Sequence, residues 1–423
     1  MRCRALVGLL LAGLLTACAA PALSMEPTDR VEVLSWWTSE SEHAALTTWI
    51  DAYRAAHPDV AVIDAGVAGG SGSNAQVVLA GRLQSGDPPD VWQTFLGSSL
   101  RQYAEQHRIA DVSAAYRPED VAALPPAVVD ALTADGALRG VATGAHRSNM
   151  LWFNTGVLQQ AGVAPPGAGY TERQFLADLA RLKAAGTAPL CLGGQDRFTS
   201  AELLEDVLLA RVGSEGWAAI AADRFDWRGP DARAALGVFG TLLDHTQPAA
   251  ATTTWSRAVA TLAEGGCGFF AMNDSAYGEL RAVGADLGAG IGGVAYPGTD
   301  GDFIAVIDTF VVAAGSPNGR NAIDLLATIQ QNPDALLGFS AHKGSVPLRT
   351  DLDLSGLSPY QQQAAQVLRS GTLLMSVVHG EVMSPAFQQG FYDAVADFTV
   401  HRDPRAFADT LQFAVSRDLA PQR

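Results

Sequence analysis

Trp36 and Trp37 stand side by side after the apolar run Val31-Glu32-Val33-Leu34 in a chain of 423 residues. If that run is a strand, the pair lies at the sheet end where α/β proteins bind ligands. Adjacent strand residues point to opposite faces, so one indole at most faces a cleft and the other packs inward. Glu42 comes three residues after Ser39. An ionised carboxylate only accepts hydrogen bonds, so it reads donor groups on a ligand, or it serves as the acid of a capping box. Asp308, Lys343 and His379 are on three distant segments, and Gln93 and His146 are open to buried strand or hinge roles as well as to ligand contact. Lys343 is one of only two lysines, the other being Lys183, which sets it apart from a scattered solvated charge. The glycine-rich stretch 69–73 lacks G-x-G-x-x-G spacing and reads as a turn, not a dinucleotide loop. There is no G-x-x-x-x-G-K-S/T, H-E-x-x-H or G-x-S-x-G, so ATPase, zincin and hydrolase-elbow chemistry lack support and no cofactor or metal is implied.

Bringing these residues together requires an α/β scaffold. Strands are predicted at 31–34, 60–67 and 90–95, separated by a helix carrying Leu46, Trp49, Ile50 and Tyr53 and by one carrying Val77, Val78, Leu79 and Leu83. Ser39 with Glu42 predicts a capping box on the first helix, and Asn74 is the expected cap of the second. This alternation predicts right-handed crossovers and a mainly parallel sheet. Further helices are expected at 172–185, 231–243, 255–264, 320–330, 359–370 and 404–414, with strands at 189–192, 268–272 and 304–312.

Arg2, Arg4 and the apolar run 5–15 have the pattern of an export leader. Leu15-Thr16-Ala17-Cys18 resembles the lipobox at which bacterial lipoproteins are cut and diacylated, so residues 1–17 are expected to leave, Cys18 to carry lipid, and residues 18–30 to form a tether. The expected location is the outer face of the cytoplasmic membrane. The formal charge of −16 and pI near 4.8 argue against a nucleic-acid partner. Cys191 and Cys267 remain in an oxidising compartment, where a disulfide and two buried thiols on separate strands are both open readings. A chain this long usually divides into two lobes.

Six fragments in order, SWWTSESE (35–42), AGGSGSNAQVVLAGRLQSGDPPDV (68–91), GAHRSNMLWFN (144–154), TTWSRAV (253–259), HKGSVP (342–347) and VVHG (377–380), resemble the extracellular solute-binding proteins of bacterial ABC importers, in the glucose- and galactose-binding branch. The resemblance implies a two-lobe periplasmic-binding-protein-like fold of type II, with the ligand in the interlobe cleft. By analogy the N-terminal lobe comprises 31–142 plus 309–345 and the C-terminal lobe 143–308 plus 346–423. The implied ligand set is Trp36 or Trp37, Glu42, Gln93, Phe95, His146, Trp255, Asp274, Asp308, Lys343 and His379. An indole covers the C–H face of a sugar while polar groups bond the hydroxyls around its rim. The implied partners are a monosaccharide and the permease subunits, with a monomeric receptor and no catalysis. Two positions depart from the family: Phe95 stands where relatives carry His or Lys, and Ser275 where they carry Trp. Tyr277 or Phe95 is expected to replace the lost stacking surface, and a shift from glucose to its C4 epimer galactose is a natural consequence. A small oligosaccharide is the alternative ligand. A secreted glycosidase is the rival function, since it too uses Trp, Glu and Asp in a cleft.

Overall fold

The computed structural model describes residues 29–418, with side chains to 414; the leader, Cys18 and the tether as far as residue 28 lie outside the described residues. The first stretch of principal elements is β1 (Arg30–Leu34), α1 (Glu40–Ala56), β2 (Ala61–Asp64), α2 (Ser73–Ser85), β3 (Val91–Phe95), α3 (Ser98–Glu105) and β4 (Val141–Arg147). A second stretch holds β5 (Met150–Asn154), α4 (Glu172–Ala184), β6 (Leu190–Cys191), α5 (Arg197–Ala221), α6 (Pro230–Leu243), α7 (Trp255–Ala263), β7 (Phe269–Ala271), α8 (Ser275–Ala282) and β8 (Ile291–Ala295). The chain then runs through β9 (Asp302–Val312), α9 (Gly319–Gln331), α10 (Pro333–Lys343), α11 (Pro359–Ser370), β10 (Thr372–Met375), α12 (Pro385–His401) and α13 (Pro404–Asp418).

β1 pairs in parallel with β2 and β3, as the crossover pattern predicts. β9 enters the same sheet antiparallel to β3 and β4 and parallel to β10. The first sheet is therefore mixed, because a strand arriving from the far half of the chain sets its own direction. The second sheet has the order β8-β5-β7-β6, and only β6 and β7 run in parallel. Two hydrophobic cores result. α1 buries Leu46, Trp49 and Tyr53 at helical spacing in the first, where the Trp49 ring meets Phe310 edge-on at 4.9 Å. The second collects Trp152, Phe175, Phe239 and Phe269 with Phe391 and Phe407 from the C-terminal helices.

Some local expectations give way. Ser39 occupies the N-cap of α1, but its hydroxyl bonds the Glu42 side chain instead of the backbone. Asn74 is inside α2, whose cap is Gly72, and its amide donates to the Ala68 carbonyl. α3, α5, α8, α10 and α12 fall where no helix is expected. The assignment of everything after 345 to the second lobe also fails, since Val346, Leu348, Ala364 and Leu368 join the first core. The last passage between cores is at 376–382, within which Val377 and Val378 already belong to the second. Cys191 in β6 and Cys267, two residues before β7, form a disulfide.

The three passages between cores are laced together. In the first, Ser148 N–H donates to the Ile304 carbonyl at 2.8 Å, and Asn149 accepts from Ile304 N–H at 3.0 Å while donating to Thr299 Oγ1 at 2.9 Å. Glu205 of α5 accepts from Ser148 Oγ in the first passage and Ser376 Oγ in the third, at 3.2 and 2.9 Å. α5 presents Glu202, Glu205 and Asp206, all buried, on one face. Both Asp206 oxygens and the Tyr296 hydroxyl find no hydrogen-bond partner among the described residues. Burial, and then the neighbouring Glu205 and Glu202, push the Asp206 carboxyl well above the usual carboxylate range, against the Arg147 guanidinium. A carboxyl raised on folding contributes stability that is fully present below its unfolded pKa and is lost as pH rises towards the folded value, at ~1.4 kcal/mol per pH unit. Asp206→Asn should therefore raise the melting temperature at pH 7.5, with the gain shrinking towards pH 4. Equal pH slopes of melting temperature in variant and wild type would refute it.

Candidate functional site

A cleft of about 740 Å³ separates the two cores and is lined from both sides, within the roughly 300–1,000 Å³ of small-ligand sites. On the first side, Trp36 comes off the end of β1 and leans on Phe95 at 5.1 Å. Gly72 at φ 74 allows α2 to approach, since any Cβ there would lie 2.5 Å from the Trp36 ring. Glu42 from the first turn of α1, Asp308 from β9 and Lys343 from the end of α10 complete this wall. The Lys343 ammonium, 2% exposed, donates to Glu42 Oε1 at 3.0 Å, lies 3.9 Å from Asp308 Oδ2, and reaches Ser275 Oγ of α8 at 3.3 Å. Gly344 in the left-handed conformation ends α10 directly after it.

The second side brings Trp255 at the start of α7, Asn273 and Ser275 before and in α8, and His379 from the third passage. Thr254 caps α7, and the Trp255 N–H donates to Asp196 Oδ2 at 2.7 Å. Burial raises the Asp196 carboxyl, opposed by the backbone N–H groups of Trp255 and of Gly70 across the cleft. Glu202 lies behind this wall and joins its Oε1 to both the Asn273 amide and His379 Nε2, the latter at 3.2 Å.

Of the expected residues, Trp36, Glu42, Phe95, His146, Trp255, Asp308, Lys343 and His379 line the cleft. Three others do not, each for a packing reason. Trp37 points inward, as the strand alternation requires of one indole, and packs on Phe310 and Phe339 beneath the Lys343 ammonium. Gln93 is buried as a clamp: it accepts from Trp36 N–H at 3.1 Å and donates to Asp308 Oδ1 at 2.7 Å, fixing two lining residues. Asp274 is fully buried, one oxygen against His146 Nδ1 at 2.5 Å and the other accepting from Tyr360 OH at 2.9 Å. It orients His146. Tyr277 is not a replacement wall either, because it stacks on Tyr360 at 4.9 Å in the second core. Sequence reasoning missed Asp196, Asn273 and Glu202. An Asp directly before a helix signals a cap, which would have marked Asp196 as ordered; for Glu202, inside a helix, no local signal exists.

A family model for bacterial extracellular solute-binding proteins matches residues 48–367. A probable sugar-binding periplasmic protein of Brucella melitensis biotype 1 is 28% identical over 388 residues, covering 90% of each chain. The solved structure of a chitin oligosaccharide binding protein superposes with a TM-score of 0.80 at 15% identity, covering 92% of this chain and 99% of the other. A bacterial solute receptor described as preferring β-D-galactopyranose superposes at 0.78 and 15%, covering 92% and 98%. The architecture is the two-lobe periplasmic-binding-protein-like fold, and the chain belongs to the bacterial extracellular solute-binding protein family.

Proposed function

We propose that the chain is the sugar receptor of an ABC importer, capturing a free aldohexose, galactose or glucose, in the interlobe cleft and delivering it unchanged to the permease. One observation carries the reading: Trp36 and Trp255 enter one cleft from opposite lobes, with the acceptors Glu42 and Asp308 and the donor Lys343 beside them. Indoles suit the C–H faces of a pyranose, and charge-assisted bonds suit its hydroxyls. The names of the relatives point the same way, one to sugar in general and one to galactopyranose. Glycoside cleavage would need an open gap between two carboxyls for the scissile bond. Lys343 stands between Glu42 and Asp308, which supports capture without cleavage.

A small oligosaccharide is the second reading. The cleft volume leaves room beside one pyranose, and a structural neighbour is named for chitin oligosaccharide. Calorimetry with a panel of hexoses and short oligosaccharides, followed by recovery of the ligand, separates the readings. The expected result is 1:1 binding of an intact aldohexose. Tighter binding of an oligosaccharide would transfer the proposal to the second reading, and a cleaved or isomerised sugar would reject receptor function.

Membrane attachment through lipid on Cys18 belongs to the same proposal. Cys18→Ser should release the protein from the membrane with its sugar affinity unchanged; retention of the processed variant at the membrane would point to another anchor.

Phe95 bears on which hexose is chosen, since its ring contacts Trp36 and, at 5.3 Å, His379. Restoring a polar group with Phe95→His should move the glucose-to-galactose affinity ratio towards glucose by about tenfold, because a site built to bond a hydroxyl rejects ligands that leave it unpaired. An unchanged ratio would remove Phe95 from the specificity set. Restoring an aromatic wall with Ser275→Trp is a poorer test, since Ser275 is buried within 3.5 Å of both His146 and Lys343 and an indole would overpack the site.

A further inference from the structure

We infer that Glu205, which does not line the cleft, is a positioning residue that sets the proton arrangement of His379 through the hydroxyl of Ser376. The consequence for affinity rests on the sugar-receptor reading above, whereas the imidazole arrangement does not.

The segment 376–382 threads between the cores and presents His379 to the cleft. It carries no regular secondary structure, so its shape depends on what holds it. At its far end, the Gly380 and Glu381 carbonyls accept from Ser99 and Ser98 N–H at the start of α3, at 3.1 and 2.8 Å, and Glu381 Oε1 accepts from Ile307 N–H of β9 at 3.1 Å. Its near end is held by one side chain from the other lobe. Glu205 Oε1 accepts from Val377 N–H at 2.7 Å, Val378 N–H at 3.2 Å and Ser376 Oγ at 2.9 Å.

Ser376 has a single hydroxyl proton. Its oxygen also meets His379 Nδ1 at 3.0 Å and accepts from the His379 N–H at 3.3 Å. While that proton points to the Glu205 carboxylate, the oxygen has only lone pairs to offer the ring, so Nδ1 must carry the proton. The chain of bonds thus runs from imidazole to hydroxyl to carboxylate. It holds the ring plane, while Nε2 faces Glu202 Oε1 at 3.2 Å, a contact that needs Nε2 to donate a proton of its own to the carboxylate. Such outer partners fix tautomer and ring angle in the same way around metal-bound histidines.

Glu205→Gln keeps the shape but not the bonding polarity. Its amide oxygen in the Oε1 place can still accept from Val377 and Val378, while its NH2 takes the Oε2 place, 3.2 Å from both Ser148 Oγ and Ser376 Oγ, and donates to each, leaving the Ser376 hydroxyl proton to turn towards Nδ1. Nitrogen-15 NMR of the ligand-free protein, with His379 assigned by comparison with His379→Ala, should show Nδ1 losing its proton in Glu205→Gln while Nε2, facing Glu202, keeps its own. Affinity for the hexose identified by calorimetry should fall by about tenfold, the scale of one misdirected hydrogen bond, and Glu205→Gln should have no further effect in a His379→Ala background. Ser376→Ala, which removes the middle of the relay, provides the same comparison should Glu205→Gln fail to fold. An unchanged His379 spectrum in a folded variant, or an equal loss of affinity with and without His379, would overturn the inference. Wild-type protein that binds no sugar would instead reject the receptor reading, leaving the NMR comparison valid.

Discussion

A buried ammonium group is the constraint around which the cleft is organised. Lys343 is nearly out of water, and an isolated charge in that state would cost several kcal/mol, roughly, so it is tolerated only where opposite charge and acceptors surround it. Glu42 from α1, Asp308 from β9 and Ser275 from α8 meet that demand. Each comes from a separate element, and so the ammonium fixes the approach of α10, α1 and β9 within one lobe and the distance to α8 in the other. Asp308 is held in turn by Gln93, which also holds the backbone of Trp36. Polar and aromatic groups of the first wall therefore form one connected network, and loss of a single member leaves another charge uncompensated.

Much of this wall was legible in the sequence because its residues are unusual for their surroundings: a tryptophan pair at a strand end, and a lysine in a chain that has two. The order of the six fragments supplied the rest. What could not be read was the direction of side chains. Trp37, Gln93 and Asp274 belong to the right segments, yet each points away from the cleft and supports a neighbour that faces it. A periodicity of two says that Trp36 and Trp37 diverge without saying which one turns inward; that depends on Phe310 and Phe339, more than 270 residues later in the chain.

The second wall was harder to foresee for a different reason. Glu202, Glu205 and Asp206 on one helical face normally mark a solvated surface, and nothing local reveals that this face turns into the protein. It does so because three backbone N–H groups, two hydroxyls, an asparagine amide and a histidine converge on it from residues 148, 273 and 376–379. The mixed first sheet has the same origin. Strand order among β1, β2 and β3 follows from short crossovers, whereas the direction of β9 depends on a path through the whole second lobe.

The lacing of the three passages has a mechanical consequence. Three independent connectors would allow one lobe to bend, twist and slide against the other. Here Ser148, Asn149 and Ile304 join the first two, and Glu205 joins the first to the third, so the connectors behave as one leaf of a door hinge. Bending about that hinge keeps these bonds, whereas twisting or sliding one lobe against the other breaks them, so opening and closing of the cleft is the motion the connectors favour.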